Sequence, residues 1–365
     1  MQFIALPVSL ASVSLLLLLA SCNGGPPGDP LLDPRPQADA ATRTFARTPP
    51  PTAAAPDDLR TAEAPALFIE QIPGSLNHSP DGTWWGYNQS KIARIGDTVF
   101  MFVVENDDDP GTESRFALYK KQGDGVWEPG AILPTSRPGN IVVDSKGGLH
   151  AFVFDPLDVL ENDSLGTLEH YYFSDAYRGN ISDYQHETVI GNDGNSETVN
   201  IRFGVSIGPD DTMLVAYGLT EGNGFQGHTE QVHYKRPGED GWTRLIAGEN
   251  LGHDFYYSFP LITDFGFTVL AVQDDYVPAT DGNIYQIASY FEYADNAWSQ
   301  RLLVDNTGHP EAKTRPQLVE ISDNFQDSMG NVHLLVLDDA AEEYRHFVRA
   351  ADGTWTSKAI PGAHN

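Results

Sequence analysis

From about residue 66 onwards, short runs of apolar and β-branched residues alternate with turns rich in glycine, aspartate and asparagine. Examples of such runs are 99–103, 149–153 and 332–336. Short alternating or continuous apolar runs bounded by turn residues are typical of β-strands. No long segment follows the 3.6-residue period of an amphipathic helix. The pattern therefore predicts an all-β domain.

The tryptophans in this region recur at a regular interval. Trp127, Trp242, Trp298 and Trp355 are 115, 56 and 57 residues apart, and 115 is about twice 57. The missing position falls near Tyr184. Five units of about 57 residues then fill residues 91–365, and a fixed period of this size is a signature of repeat architectures.

Each unit has the same internal order. An inner run is followed by a polar turn, a very apolar second run, an acidic loop, a third run with a tyrosine, a tight turn and a fourth run with the tryptophan. The tyrosines of the third runs are Tyr119, Tyr172, Tyr234, Tyr290 and Tyr344. Four antiparallel strands per repeat form the blade of a β-propeller. We predict five four-stranded blades, with six or seven as the alternatives.

The turns before the tryptophans resemble the Asp boxes of sialidase-like (BNR-repeat) propellers. These turns are Asp124–Trp127, Asp240–Trp242, Asp295–Trp298 and Asp352–Trp355. The resemblance implies that each Asp caps its turn through backbone N–H groups and that each Trp packs between blades. Asp boxes are structural turns, so they imply a fold and no activity.

A second resemblance is to polysaccharide lyases of the BNR type, such as ulvan lyases. The segments 84–89 and 179–184 are similar to the opening blades of those enzymes. The family carries one His at the start of an inner strand and another about twenty residues on. This sequence has Arg137 and Asp155 at those places. The resemblance therefore does not imply catalysis by the histidines that the family uses.

The N-terminal part of the chain predicts export. Residues 1–22 form an apolar stretch ending in Leu19-Ala20-Ser21-Cys22, which resembles the lipobox of bacterial lipoproteins, so Cys22 is the predicted lipidation site. No Lys or Arg precedes Arg35, and a plain secretory signal is therefore the alternative. The proline- and alanine-rich segment 23–65 predicts a disordered tether, and 66–365 the propeller. The predicted location is an outer membrane or cell surface.

The chain is strongly acidic. Against 51 Asp and Glu there are 22 Lys and Arg, a net charge of −29, which excludes nucleic-acid binding as the main function. The predicted second-to-third loops (105–114, 155–167, 218–230, 273–283 and 338–343) contain many acids and no Lys or Arg. They form either a solvated acidic surface or a Ca²⁺ site. For Ca²⁺ the candidate ligands are Asp107, Asp109, Asp274 and Asp275, which lack EF-hand spacing.

Arginine, tyrosine, asparagine and glutamine residues stand at the entrances of the predicted inner strands. The candidate ligand-binding residues are Arg137, Arg202, Arg315, Tyr256, Tyr257, Tyr87, Asn88 and Gln89. Guanidinium groups pair with carboxylates in a bidentate manner, and tyrosines stack on sugar rings, so the set suits an acidic glycan. Alternatively, each arginine pairs with a nearby loop carboxylate.

Candidates for acid–base chemistry are few. Tyr217, His253 and His309 are the candidate catalytic residues. His150 and His333 occupy equivalent second-strand positions, which favours a repeated packing role. Zinc-protease, P-loop, nucleophile-elbow and dinucleotide motifs are missing from the sequence.

Two function hypotheses follow. In the first, the protein binds a carbohydrate at the mouth of the propeller channel and, as an enzyme, cleaves it as a polysaccharide lyase or glycoside hydrolase. In the second, it is a non-catalytic adhesin or interaction propeller whose acidic loops meet an extracellular protein.

Overall fold

The computed structural model describes residues 90–105, 115–134, 139–158, 162–190, 198–199, 203–220, 228–245, 255–277, 282–310 and 318–360. These ranges contain twenty-one β-strands and a short 3-10 helix at Ala176–Arg178. No helix in them is both long enough and apolar enough to cross a membrane.

The strands form five sheets. The first contains β1 (Ile92–Ile95), β2 (Thr98–Glu105), β3 (Arg115–Gln122) and β4 (Glu128–Pro134). The second contains β5 (Asn140–Val143), β6 (Leu149–Asp158), β7 (Asn162–Phe173) and β8 (Gln185–Ile190). The third contains the short β9 (Thr198–Val199), then β10 (Gly204–Ile207), β11 (Met213–Thr220), β12 (His228–Lys235) and β13 (Thr243–Leu245). The fourth contains β14 (Phe255–Thr263), β15 (Gly266–Val277), β16 (Gly282–Ala294) and β17 (Ala297–Asp305). The fifth contains β18 (Val319–Gln326), β19 (Val332–Asp338), β20 (Glu343–Arg349) and β21 (Trp355–Ile360).

Every sheet takes up its four main strands in chain order, and each strand pairs antiparallel with the next. Within the described ranges the third sheet alone has an extra strand, β9, which pairs with β11. The first strands of successive sheets contact one another, from β1 to β5, β10, β14 and β18. This is the arrangement of a five-bladed β-propeller, and it confirms the predicted fold class.

The first, or inner, strands approach one another at backbone distance. A Cβ atom on Gly204 would lie 2.1 Å from the carbonyl oxygen of Ser258 in the next sheet. Within the second sheet, a Cβ on Gly139 would lie 2.2 Å from the carbonyl oxygen of Phe152. Glycine is therefore required at these two positions, at the starts of β5 and β10, because a side chain there would push the neighbouring backbone away.

Apolar side chains fill the spaces between neighbouring sheets. In the second-to-third interface Trp242 packs edge-on against Phe152, with ring centroids 5.9 Å apart. In the fourth-to-fifth interface Trp355 packs on Tyr290 at 5.0 Å. These two tryptophans lie between blades as predicted, and burial of large aromatic surfaces contributes much of the hydrophobic stabilisation.

The turns before the fourth strands are formed in more than one way. Asp352 caps its turn as predicted, since its Oδ1 accepts from the Thr354 backbone N–H at 2.9 Å and from the Thr354 hydroxyl at 2.7 Å. Asp295 and Asn296 instead both take left-handed conformations, with φ of 53° and 62°. Two such residues form the two-residue turn that matches the twist of antiparallel strands.

The second-to-third connections are shorter than the sequence predicts, most clearly in the second and fourth sheets. β15 continues through Asp274 and Asp275, whose backbones pair with Tyr285 and Ile284. β6 likewise continues to Asp158. Pairing the hairpin further satisfies backbone N–H and C=O groups that a loop would leave to solvent, so the strands extend into segments predicted as loops.

A buried ion pair joins the fourth and fifth sheets and gives a stability prediction. Arg349 donates from Nε and Nη2 to the two carboxylate oxygens of Glu292, at 2.6 and 2.8 Å, and its guanidinium lies 3.6 Å from the Phe265 ring centroid. Arg349→Ala leaves Glu292 without this partner, and we expect the free energy of unfolding to fall by about 3 kcal/mol. Chemical denaturation measures the change.

The control for this prediction is the exposed pair of Arg94 and Asp97, whose N–O distance is 3.7 Å. Arg94→Ala should change the free energy of unfolding by less than about 1 kcal/mol, because exposed ion pairs contribute little. Equal losses in the two variants would contradict a structural role for the buried pair.

Candidate functional site

The entrances of the inner strands lie together at one end of the propeller. We call this region the inner-strand entrance and define it by the described residues Ser90, Asn140, Phe203, Tyr257 and Leu318. They stand at or near the starts of β1, β5, β10, β14 and β18. Binding residues are commonly carried by connecting segments over a rigid scaffold of this kind.

Asn140 connects three successive sheets at the inner-strand entrance. Its side chain is fully buried. Its Oδ1 accepts from the Ser90 backbone N–H at 2.9 Å, and its Nδ2 donates to the Phe203 carbonyl at 3.3 Å. The Ile141 N–H adds a bond to the Ser90 carbonyl at 2.9 Å. The segments leading into the first three inner strands are therefore held together by the Asn140 side chain and one backbone hydrogen bond.

The fourth inner strand carries a distortion at the same end. The pairing of β14 with β15 shifts register between Tyr256 and Phe259, and Tyr257 has a φ of 53°. A bulky residue in the left-handed region is strained, and such strain is often found at binding sites. β-bulges also redirect side chains, so the distortion sets the direction of the buried Tyr257 side chain.

Asn306 connects the fourth and fifth sheets. Its Nδ2 donates to the Leu318 carbonyl and to Asp338 Oδ1, both at 3.0 Å. The adjacent turn places the half-buried His309, whose backbone N–H donates to the Asn306 carbonyl at 2.9 Å. His309 thus lies close to the fifth inner strand and to the second-to-third connection of the fifth sheet.

Tyr217 lies in the interface between the second and third sheets and is almost fully buried. Its hydroxyl is 3.3 Å from His233 Nδ1, and the two rings stack with centroids 5.6 Å apart. Burial, with a contribution from Arg244, lowers the pKa of His233 to about 4. His233 is therefore neutral at pH 7, and its Nδ1 is able to accept the Tyr217 hydroxyl proton in a hydrogen bond.

Carboxylates on the fifth sheet are partly desolvated. Burial, with a contribution from Asp339, raises the pKa of Glu320. Asp338 lies 3.6 Å from Arg345 Nε and accepts from the Ala341 N–H at 3.2 Å. Asp338 is thus matched with donors of the protein itself. Across the described ranges, no group of three or more His, Cys, Asp or Glu residues is placed to hold a metal ion.

The structure describes only part of the predicted site. Tyr217, Tyr257 and His309 are described with their side chains, while Tyr256, Asp274 and Asp275 are described only as strand backbone. The other predicted site residues lie outside the described residues: Cys22, Tyr87, Asn88, Gln89, Asp107, Asp109, Arg137, Arg202, His253 and Arg315. The Ca²⁺ and arginine assignments therefore stay predictions.

Asn140, Asn306 and His233 are residues of this region that the sequence does not predict. For Asn140 a signal was present, since it is a polar residue that opens the otherwise apolar run 140–143. A buried polar side chain must find partners, so that position indicates a connecting role. For Asn306 and His233 the sequence carries no comparable signal.

Comparison with known proteins gives similarity in structure only. No family model matches the chain, and no curated protein is similar to it in sequence. Among solved structures, an α-L-arabinofuranosidase from Fusarium graminearum is 11% identical, with a TM-score of 0.43 over 80% of this chain and 84% of that one. A polysaccharide lyase, an ulvan lyase, is 11% identical, with a TM-score of 0.45 over 80% of this chain and 74% of that one.

A protein of unknown function from Dyadobacter fermentans is 10% identical, with a TM-score of 0.43 over 78% of this chain and 85% of that one. The solved structures that resemble the chain thus include carbohydrate-active enzymes. Similarity at this level assigns no activity, so the fold rests on the strand pairing and the function must be argued from this chain's own residues.

Asn140 and Asn324 form a matched pair for testing the inner-strand contacts. Asn324 also reaches the preceding sheet, since its Nδ2 donates to the Phe259 carbonyl at 3.2 Å, but its buried Oδ1 has no partner among the described residues. We expect Asn140→Ala to lower the free energy of unfolding by about 3 kcal/mol, because two bonds are lost and the buried Phe203 carbonyl is left unpaired. Asn324→Ala should cost about 1 kcal/mol. Denaturant titration of both variants checks the order, which a larger loss for Asn324 would contradict.

Proposed function

We propose that the protein is an exported carbohydrate-binding β-propeller that takes an acidic glycan at the inner-strand entrance. The observation that supports this proposal is the hydrogen-bonded connection of Ser90, Asn140 and Phe203. It brings together the points from which the predicted ligand-binding residues extend.

The predicted residues are separated from these anchors by very little chain. Gln89 directly precedes Ser90, Arg202 directly precedes Phe203, and Arg137 stands three residues before Asn140. A residue spans at most about 3.6 Å, so the short chain distance from each anchor supports the proposal that these side chains serve the entrance. Arg315 stands three residues before Leu318 in the same way.

The chemistry of these residue types selects the ligand class. Three guanidinium groups at one end of the propeller would pair with the carboxylates of a uronate-containing chain. The predicted Tyr87 and Tyr256 would add aromatic faces for a sugar ring, whereas the Tyr257 side chain is buried in the core.

Binding, rather than cleavage, is the function we propose. A lyase needs a group that removes the proton beside the uronate carboxyl, with an arginine to neutralise that carboxyl. Of the predicted acid–base residues, Tyr217 is only 3% exposed and is engaged by His233. The positions that resemble the lyase histidines hold Arg137 and Asp155.

The test uses the purified full chain and a panel of uronate-containing and neutral polysaccharides, with binding measured by calorimetry. Arg137→Ala and Arg315→Ala should each weaken binding of a uronate polymer by about tenfold or more, since a hydrogen bond to a charged group contributes about 1.5–3 kcal/mol. Arg94→Ala is the control, because Arg94 is exposed near the other end of β1. All variants should keep the melting temperature of the original chain.

The same samples distinguish binding from catalysis. Absorbance near 235 nm would report unsaturated uronates, and a reducing-end assay would report hydrolysis. No binding across the panel would overturn the glycan proposal. Salt-sensitive binding of a basic protein would then favour the interaction propeller. The acidic loops would attract such a protein, and salt would screen the attraction.

We further propose that Cys22 is lipidated and anchors the chain to a bacterial membrane. The support is the small-residue sequence that leads to this cysteine, which is the chain's single cysteine. In cells fed a labelled fatty acid, the original chain should incorporate label and fractionate with membranes. Cys22→Ser should lose both properties, and a labelled Cys22→Ser chain would contradict the assignment.

A further inference from the structure

The place where the fifth sheet meets the first differs from the other four interfaces of the propeller. Each of those four contains an apolar cluster to which both neighbouring sheets contribute. Among the described residues, no such cluster joins the fifth sheet to the first. Within the same ranges, β18 also makes no contact with β1 comparable to those between the other inner strands. The described residues therefore leave the ring incomplete at this interface.

The face of the fifth sheet toward the first is apolar but only partly covered. Along β19, Leu334 and Val336 belong to the cluster with the fourth sheet. Successive side chains of a strand point to opposite faces, so His333 and Leu335 lie on the face toward the first sheet. Phe325 shares that face, since its ring stacks on His333 with centroids 4.8 Å apart. Phe325 is 57% exposed, and Leu335 is half-buried.

The corresponding faces of the other sheets are closed. Val142 pairs with His150 as Phe325 pairs with His333, but Val142 is only 9% exposed. The second-strand side chains that face the next sheet are at most 2% exposed in the other four sheets: Phe100, Phe102, Val104, Phe152, Phe154, Leu214, Ala216, Leu270 and Val272. An uncovered face forgoes the hydrophobic stabilisation that these interfaces obtain, so the fifth sheet needs a covering group.

The opposing face of the first sheet gives evidence of that cover. Its apolar cluster consists of Met101, Val103, Ala117, Tyr119 and Trp127, all from the first sheet and its last turn. Val103, Ala117 and Tyr119 are at most 6% exposed, although no described residue of another sheet belongs to the cluster. Ile92 pairs with Met101 on this face and is 61% exposed. Because the burial arises within a single chain, the cover is supplied by the chain itself.

Composition distinguishes the segments that could supply the cover. Five segments outside the described ranges adjoin the first and fifth sheets. Four of them contain no Phe, Tyr, Trp, Leu, Ile, Val or Met, namely 106–114, 135–138, 311–317 and 361–365. The segment before β1 is different, since its residues 66–86 contain Leu67, Phe68, Ile69, Ile72, Leu76, Trp84 and Trp85. Only this segment has the apolar side chains that the two faces require.

The segment is also in reach of the interface. Trp85 stands five residues before Ser90, which lies at the start of β1. A residue spans at most about 3.6 Å and packed sheets are about 10 Å apart, so both tryptophans reach the face beside β1. Trp84 and Trp85 are the two tryptophans that do not follow the period of about 57 residues. Trp242 already packs between two sheets in the way that is required here.

We propose that residues 66–86 dock between the first and fifth sheets and complete the ring, with Trp84 and Trp85 packed against Ile92 and Phe325. The segment fills the space between two sheet faces, and residues 87–89 then lead to Ser90 at the inner-strand entrance. A second copy of the chain is the alternative occupant. The docking does not depend on the glycan proposal.

The experiment measures how fast a buried thiol is labelled in the full chain. Cys22 is the single cysteine, so Cys22→Ser provides a background without thiols. In that background Ala117→Cys reports on the docking face, and Ala216→Cys on the closed interface of the third and fourth sheets. With Trp84→Ala and Trp85→Ala combined, the thiol of Ala117→Cys should react about tenfold faster or more, since its cover is lost. The thiol of Ala216→Cys should react at an unchanged rate.

Phe45→Ala combined with Leu59→Ala is the matched control, because it removes two apolar side chains from the predicted tether. This control should leave both thiols unchanged. Equal labelling of the Ala117→Cys thiol with and without the two tryptophans would overturn the proposal. Equal acceleration of both thiols would show general loosening and would also overturn it. Protection of the Ala117→Cys thiol that increases with protein concentration would assign the face to a second copy instead.

Discussion

Close contact between inner strands is the constraint on which the rest of this structure depends. Gly204 lies against the Ser258 carbonyl with no room for a side chain, and Asn140 bonds to backbone groups on both sides of its own sheet. Buried backbone groups at such a crossing need partners, and here one amide satisfies two of them. Once these strands are positioned, the remaining strands of each blade follow by antiparallel pairing, and all connections are directed to one end or the other.

The two ends then acquire different chemistry from the same strands. The inner-strand entrance gathers the starts of the inner strands, and there Asn306 links the Leu318 carbonyl to Asp338 at the end of β19. The opposite end carries tight turns, and there the character of each interface depends on a few side chains. Aspartate oxygens cap the turns after β5 and β18, and the same carboxylates hold His150 and His333. In the third sheet Gly208 and Leu214 stand at these positions, and the interface is apolar.

Much of the fold can be predicted from the sequence because the patterns of strand and turn residues repeat from one unit to the next. The tryptophan spacing and the tyrosines of the third runs predict five units of four strands, and the third strands do contain Tyr119, Tyr172, Tyr234, Tyr290 and Tyr344. The inner run 140–143 coincides with β5. Strand ends are less well predicted at Asp274 and Asp275, because hairpin pairing, rather than the polarity of these residues, decides where β15 stops.

The sequence by itself determined the class of the fold, the order of the strands and the end of the propeller to which each connection belongs. These properties depend on residues within one unit of about 57. Only the tertiary structure decided that Asn140 connects three sheets, that Tyr217 is buried against His233, and that no apolar cluster of described residues joins the fifth sheet to the first. Each of these depends on how two strands or two blades pack, and residues brought together in that way are distant in the sequence and follow no period.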